Sequence, residues 1–454
     1  MSKFIKLKKG FDINLAGKAE KQVADVEQPE TFAYKPTSFH GILRPKLTVK
    51  EGDNVKAGTT ILFDKKNDKV KHVAPVSGEV VEIRRGEKRK LLEVVILADK
   101  EMEYESFKKH SVSDITGLNR EEVVEQLLQS GTWPNIVRRP YGVIADPEET
   151  PKSIFISAFD SHPLAPDYDL LFKGEEQNFQ AGIDVIKKLT PGSVHLNVNG
   201  DDEVPQIFSH AKNVELNKIS GKHPAGNVGV QIHHIDPINK GDIIWTLDPF
   251  SVIQIGKLFL QGKYDASKVI ALAGSEVKKP QYYKTYTGAS IKKIVENNIE
   301  GSNVRYISGN VLTGEKIESD GHIRYFDNLV TVIPEGDQYE LFGWIKPTTN
   351  KLSFQRAFGL LSFLNPNKEF VVDTNTKGEP RAFVQTGVFE QVMPMDILPT
   401  YLFKAILAED FDDMEALGIY EIIEEDVALC EFVDVSKHDI QAIVREGIDL
   451  MQYS

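Results

Sequence analysis

Val49-Lys-Glu-Gly-Asp-Asn-Val-Lys-Ala-Gly58, then Ile61-Leu-Phe63, then Val73-Ala-Pro-Val-Ser-Gly-Glu-Val-Val-Glu-Ile83 is the stretch from which the architecture is read outward. Short β-branched runs alternate with glycines at turn positions, and the strand–turn–strand pattern occurs twice. Between the halves lies the polar segment Asp64-Lys-Lys-Asn-Asp-Lys69, placed as a hairpin tip.

This arrangement resembles the barrel-sandwich fold of biotinyl and lipoyl carrier domains. In that family a Val-x-x-Gly-Asp-x-Val-x-x-Gly segment and an Ala-Pro-x-x-Gly segment flank a hairpin that offers a lysine for a prosthetic group. Here the carrier position falls near Asn67 and the flanks of the neighbouring lysines differ from the carrier pattern. The expectation is a scaffold barrel rather than a carrier.

Beyond the barrel, residues 120–270 read as α/β. Val123, Val124, Leu127 and Leu128 have helical spacing within Glu121–Ser130, as do the apolar positions of Phe179–Leu189 and Phe250–Gln261. Ser153–Ala158, Ser193–Val198 and Val228–Ile232 read as strands, and their alternation with helices predicts a parallel, Rossmann-like sheet. From 268 the order becomes strand, Gly/Pro turn, strand at Tyr282–Thr287, helix opening at Gly288 and strand at Val304–Ser308. This suits a small β-grasp. A strand pair, Val330–Pro334 with Gln338–Trp344, and helices at Ile397–Ala408 and His438–Gln452 complete the chain. The expected fold is therefore α/β multidomain. It comprises a barrel-sandwich over 1–105, a Rossmann-like domain over 106–262, a β-grasp over 263–330 and a mainly helical region over 331–454.

Composition limits the function. A net charge of −13 argues against a nucleic-acid binder, because neutralising phosphates requires a basic surface. One cysteine, Cys430, excludes a disulfide framework and fits a reducing compartment. It also excludes a four-thiolate zinc or iron–sulfur site built from this chain alone. The N-terminal segment lacks the apolar core of a signal peptide, and no run approaches the roughly 20 apolar residues that span a bilayer. Any membrane link is expected to pass through partners.

Barrel, α/β domain, β-grasp and C-terminal region occur in this order in a known group of respiratory proteins. With Ile5-Lys-Leu-Lys-Lys-Gly-Phe-Asp-Ile-Asn-Leu-Ala-Gly17, Gln129-Ser-Gly-Thr-Trp133, His223-Pro-Ala-Gly226, Leu341-Phe-Gly-Trp344 and Met393-Pro-Met-Asp-Ile-Leu-Pro399, the chain resembles the A-subunit family of sodium-pumping NADH:quinone reductases from end to end. More distant likenesses are the C subunit of Rnf-type oxidoreductases and the flavin- and NADH-binding subunit of complex I. The resemblance implies a peripheral subunit on the cytoplasmic side of the inner membrane, in a complex that couples NADH oxidation and quinone reduction to Na+ export. FAD, FMN, riboflavin and Fe–S centres are then expected on partner subunits, some of them integral to the membrane, with ubiquinone or menaquinone as a possible ligand here.

Three departures from the cofactor-bearing relatives shape the cofactor expectation. Where they carry a glycine-rich flavin loop, this chain has Ser130-Gly-Thr-Trp-Pro-Asn-Ile-Val-Arg-Arg-Pro140, with Gly131 the sole glycine. Where the Rnf relative has cysteine clusters, Met393–Pro399 and Leu417–Cys430 retain the framing residues without the thiolates, a ferredoxin-like remnant. No Gly-x-Gly-x-x-Gly fingerprint occurs in the α/β region. The chain is thus expected to hold no redox group tightly, to have no catalytic residue and to bind no metal. Trp133, Arg138, Arg139 and Tyr141 combine aromatic surface with donors, the mixture that a quinone head group or a partner contact needs; the alternative is an ordinary loop with solvated arginines. His233-His234, read as adjacent on a strand, would point to opposite faces and suit a structural role better than one metal site. Asp160-Ser-His162 has the composition of a triad, but sequence neighbours rarely form one. Two rival functions remain open: a flavin-bearing Rnf-type subunit, and a non-catalytic ligand-binding module.

Overall fold

The computed structural model describes residues 3–338, 340–342, 351–354, 367–383 and 387–453. The strand–turn–strand repeats form two packed sheets. One has the order Thr31–Tyr34, Leu91–Ala98, Gly78–Arg85, Asn54–Val55; the other Pro45–Leu47, Thr60–Asp64, Asn67–Val73. Ile61, Leu62, Val76, Val80, Val94 and Ile96 fill the space between them. At the hairpin tip, Lys65 and Lys66 form the turn and Asn67 opens the returning strand.

The α/β domain is built on a seven-stranded sheet. Five strands run parallel in the order Phe4–Lys6, Glu215–Ser220, Val194–Asn199, Ser153–Ser157, Ile244–Leu247; the hairpin Val137–Arg139/Val143–Ile144 adds antiparallel to the last. The central strands are buried nearly throughout, as a parallel sheet covered on both faces requires. Helices Glu176–Ile186 and Pro249–Gln261 cross where each has a glycine. A Cβ on Gly256 would lie 1.8 Å from the Asn178 carbonyl oxygen, and one on Gly182 would lie 2.0 Å from that of Val252.

Val228–Ile232, read above as a strand, is instead part of the helix Val228–Ile235. Its β-branched residues favour a strand only weakly, and tertiary contacts override the preference. Gln231 on this helix donates to Ser157 Oγ and accepts from Asn197 Nδ2, both at 2.9 Å or less, so the sheet holds the segment as a helix above it. His233 and His234 therefore lie on a helix.

The β-grasp sheet has six strands: Glu315–Ile317, Val304–Ser308, Leu329–Pro334, Ser267–Ala273, Gln281–Tyr286 and Val23–Ala24. Leu329–Pro334 does not pair with a following strand as the pattern suggested. It lies inside this sheet, parallel to Ser267–Ala273 and antiparallel to Val304–Ser308. Of Gln338–Trp344, residues 339, 343 and 344 lie outside the described residues and the rest form no strand. The helix expected from Gly288 is shorter, Lys292–Val295. Gly288 itself has φ +77° and packs its Cα against the Ala33 backbone, which delays the helix by a turn. The N-terminal segment belongs to neither barrel sheet: Phe4–Lys6 edges one large sheet and Val23–Ala24 the other.

The C-terminal helices Pro399–Leu407, Phe411–Ala416, Glu424–Val433 and Ile440–Tyr453 share one continuous core with the α/β domain. Met393, Met395, Leu402, Phe403, Cys430 and Val444 are buried in it. For the helix crossing, Gly256→Ala has a sign that decides the matter. In an open helix alanine is favoured over glycine by about 1 kcal/mol. Here the added methyl meets backbone, so the variant is expected to lose about 1–3 kcal/mol, read as a lower urea midpoint. A gain in stability would refute the close approach.

Candidate functional site

After Ser153–Ser157 the chain continues to Val194–Asn199 on one side, and it later returns to place Ile244–Leu247 on the other. Such a reversal leaves a crevice outside the carboxyl ends of the two central strands, where open α/β sheets bind ligands. A cavity of about 380 Å³ occupies this crevice, lined there by Ser157, Asp160, His162 and Asp248. Every other domain contributes to its wall: Phe39 from the barrel, Asp327 from the β-grasp, Glu425 from the C-terminal helices.

The loop 130–140 borders this cavity, and its backbone geometry limits what it can hold. Gly131 ends helix Arg120–Ser130 in the left-handed region, φ +72°, with its Cα so near the barrel that a Cβ would meet Val73 at 2.3 Å. Trp133, Pro134 and Asn135 then form a buried 3-10 turn. The amides of Gly131, Thr132, Asn135 and Ile136 donate to carbonyls of Leu128, Leu127, Thr132 and Trp133. A phosphate nest needs such amides free and convergent; here they close the turn.

Trp133 is fully buried, donates from Nε1 to the Ala145 carbonyl at 2.7 Å and packs edge-on against Trp245. It supports the turn from beneath and does not line the cavity. Arg138 lies over the ring of Tyr141 and pairs with Glu149 at 2.8 Å. The Tyr141 carbonyl accepts from Arg445, and its ring meets Tyr420. Of the four residues singled out from sequence, Arg139 alone lines the cavity.

Arg139 is 2% exposed and donates to Asp426 Oδ2 at 2.9 Å and Glu425 Oε1 at 2.6 Å. Burial works against its charge, but Asp426 and Glu425 outweigh it and raise the pKa further. Burial pushes the Glu425 carboxyl up in spite of Arg139. Both carboxylates come from the helix Glu424–Val433, so the pairing ties that helix to the sheet hairpin.

Asp160 and His162 do interact: the carboxylate accepts from His162 Nδ1 at 2.6 Å and from its backbone N–H at 2.8 Å. Burial opposes charge on His162, but the charge and hydrogen bond of Asp160, with Glu425 and Asp426 farther off, raise its pKa above the ordinary value. The His223 ring lies 4.5 Å away, centroid to centroid. Burial, then the His162 cation, hold His223 well below the ordinary value. Neutral His223 Nδ1 faces Ser161 Oγ at 3.0 Å, and that oxygen also accepts from Gly226 N–H at 2.8 Å. The serine therefore ties its own turn to the His223–Gly226 turn, and the triad arrangement is absent from this cluster.

Sequence reasoning passed over Asn135 and Asn227. Both are buried, and both amide groups are oriented by their bonds, to Gln254 Oε1 and to the Glu425 carbonyl. Asn135 Oδ1, Asn227 Oδ1, Arg139 Nε and His162 Nε2 all lack a protein partner, and all four residues line the cavity. These four residues thus bring unsatisfied polar groups into the wall of one cavity.

Sequence profiles for the NqrA N-terminal barrel-sandwich hybrid domain, the NqrA second alpha/beta domain and the NQRA C-terminal domain match residues 5–99, 118–264 and 269–319. The chain is 37% identical over 452 residues to the A subunit of the Na(+)-translocating NADH-quinone reductase of Alcanivorax borkumensis, covering 99% of each. It is equally identical to the A subunits of Neisseria meningitidis, over 449 residues, and Haemophilus influenzae, over 451, again with 99% of each chain covered. The chain belongs to the A-subunit family of Na(+)-translocating NADH-quinone reductases. Among solved structures, an air-oxidized NAD+-reducing [NiFe]-hydrogenase aligns with 77% of this chain and 66% of its own, at 10% identity and a TM-score of 0.38.

In this member of the family, several segments that carry the resemblance meet in space. His223 N–H donates to Asp12, and the His223 carbonyl accepts from Phe11 N–H. His233 pairs with Glu421 at 2.6 Å and accepts from Asp396 N–H, while His234 bonds the Pro394 carbonyl at 2.7 Å. The adjacent histidines thus fasten the Met393–Pro399 and Leu417–Cys430 segments to the α/β domain. Burial, with Glu390 and Asp434 nearby, raises the Cys430 thiol pKa, so it stays protonated and unreactive. Among the described residues no three His, Cys, Asp or Glu side chains are grouped to hold a metal ion.

The cluster has two measurable consequences. In Asp160→Asn, burial dominates at His162, so its NMR titration is expected to fall from above the ordinary histidine value to below it; an unmoved titration would sink the assignment. In the wild type, a histidine pKa raised on folding stabilises below about pH 6.5, and that stability is lost as pH rises through the folded value. Arg139→Met leaves buried carboxylates uncompensated and is expected to cost about 3–5 kcal/mol in urea unfolding at neutral pH.

Proposed function

We propose that this chain is a peripheral scaffold subunit on the cytoplasmic face of a Na+-translocating NADH:quinone reductase, holding no redox group of its own. The observation that carries the reading is the match along 99% of both chains to proteins of that name. FAD, FMN, riboflavin and Fe–S centres belong, in this reading, to partner subunits, and sodium crosses through integral membrane subunits. Two features support it. No helix among the described residues is long and apolar enough to cross a membrane. The amides of the loop 130–140 that a flavin phosphate would require are bonded within the turn.

Quinone contact, in this proposal, falls at the switch-point cavity. Oxidised ubiquinone or menaquinone presents carbonyl acceptors, which suit Arg139 Nε–H and protonated His162 Nε2–H. The quinol presents hydroxyl donors, which suit Asn135 Oδ1 and Asn227 Oδ1. Trp133 fixes the turn carrying Asn135, whereas Arg138 and Tyr141 serve as a partner contact beside it.

The purified chain is expected to show no flavin absorption after gel filtration and to be recovered with membrane subunits after gentle detergent extraction. A photoreactive quinone should label peptides within 134–144 or 157–162. A retained flavin band would favour the Rnf-type alternative. Recovery solely as a free protein would favour a ligand-binding module, and labelling confined to distant segments would remove the quinone assignment.

A further inference from the structure

Helix Pro399–Leu407 turns Leu402, Phe403, Ala405 and Ile406 into the core, which should leave a polar outer face. Its outer face is apolar instead. Leu398, Tyr401 and Leu407 are 52%, 57% and 55% exposed, and Phe411, opening the next helix, is 40% exposed. Lys404 is the one charged residue on the helix. Single exposed apolar side chains are ordinary, but four large ones within fourteen residues on adjoining helices leave more apolar surface than isolated positions do.

Charge around these residues selects the partner. Asp396, Glu409, Asp410, Asp412 and Asp413, all exposed, flank them in the chain, with Lys404 among them and Lys240 paired to Glu415 near Asp412. An anionic bilayer surface would be repelled by those side chains, and a second copy docked face to face would set carboxylates against carboxylates. A basic protein segment meets neither obstacle. Cytoplasmic loops of membrane-spanning proteins are rich in lysine and arginine.

We infer that the face formed by Leu398, Tyr401, Leu407 and Phe411 docks a lysine- or arginine-rich cytoplasmic segment of a membrane-spanning subunit, with apolar side chains seated on Tyr401 and Leu407. This rests on the reading of the chain as a peripheral subunit of the complex. An exposed tyrosine beside exposed carboxylates suits the usual division between aromatic anchor and polar rim.

The test uses the whole complex extracted in mild detergent. The double variant Tyr401→Asp, Leu407→Asp alters exposed positions only, so its thermal unfolding should match the wild type. Its recovery with the membrane subunits should fall about tenfold or more. Asp412→Lys with Asp413→Lys should also weaken recovery and flatten its dependence on salt. Both variants assembling like the wild type would overturn the docking face while leaving the function intact. Wild-type protein that never co-purifies with membrane subunits would overturn both. Binding of the isolated chain to vesicles of equal parts phosphatidylglycerol and phosphatidylethanolamine, or a dimer abolished by the double variant, would overturn the choice of partner.

Discussion

Arg139 is the constraint on which the site depends. An arginine placed inside the protein, against two carboxylates from a helix nearly three hundred residues later, brings ions out of water at several kcal/mol each. Mutual attraction roughly offsets that cost, so the cluster adds little net stability. Its consequence is geometric: with one partner missing, the other charges are stranded, so helix Glu424–Val433 has one arrangement against the hairpin Val137–Arg139. That arrangement sets Glu425 in the cavity wall and Asp426 against Gly229, where even a Cβ would stand 2.4 Å from the carboxylate. The two elements form one structural unit even though they are far apart in sequence.

How much of this could be read from sequence depended on whether the signal was local. The barrel strands, the helix Arg120–Ser130 and the helix Pro249–Gln261 are marked by turn glycines, an Asn119 cap and helical periodicity within a dozen residues. The failures share the opposite property. Val228–Ile235 looks like a strand until Ser157 and Asn197 engage Gln231. Leu329–Pro334 looks like half of a hairpin until it inserts between strands begun some sixty and twenty-five residues earlier. At the site, Arg139 was visible as one of two adjacent arginines, but nothing local told that it would be buried and Arg138 would lie over Tyr141. Asn135 and Asn227 carried no signal at all, since a buried amide with an empty oxygen is a property of the folded environment.

The same contrast applies to the loop 130–140. Glycine-rich loops hold phosphates because their amides point into space with nothing else to bond. In 130–140 the large side chains of Trp133 and Asn135 are buried, and burying them draws the backbone into a tight turn whose amides bond internally. The turn and an anion would draw on the same donors, and in this structure neighbouring backbone carbonyls hold four of them.

At the switch point two neighbouring histidines of the cavity region are pushed in opposite directions. His162 is drawn toward the cation by Asp160, and its charge in turn keeps His223 neutral beside Ser161. The neutral ring can then accept at Nδ1 and hold the Gly226 turn, while His162, bonded to Asp160 at Nδ1, has no protein partner at Nε2. Around them stand Arg139, Asp160 and Asp426, while burial pushes the Glu425 carboxyl toward its neutral form. The cavity region therefore carries one histidine drawn toward its charged form and one held neutral, both fixed by the turns that bear them.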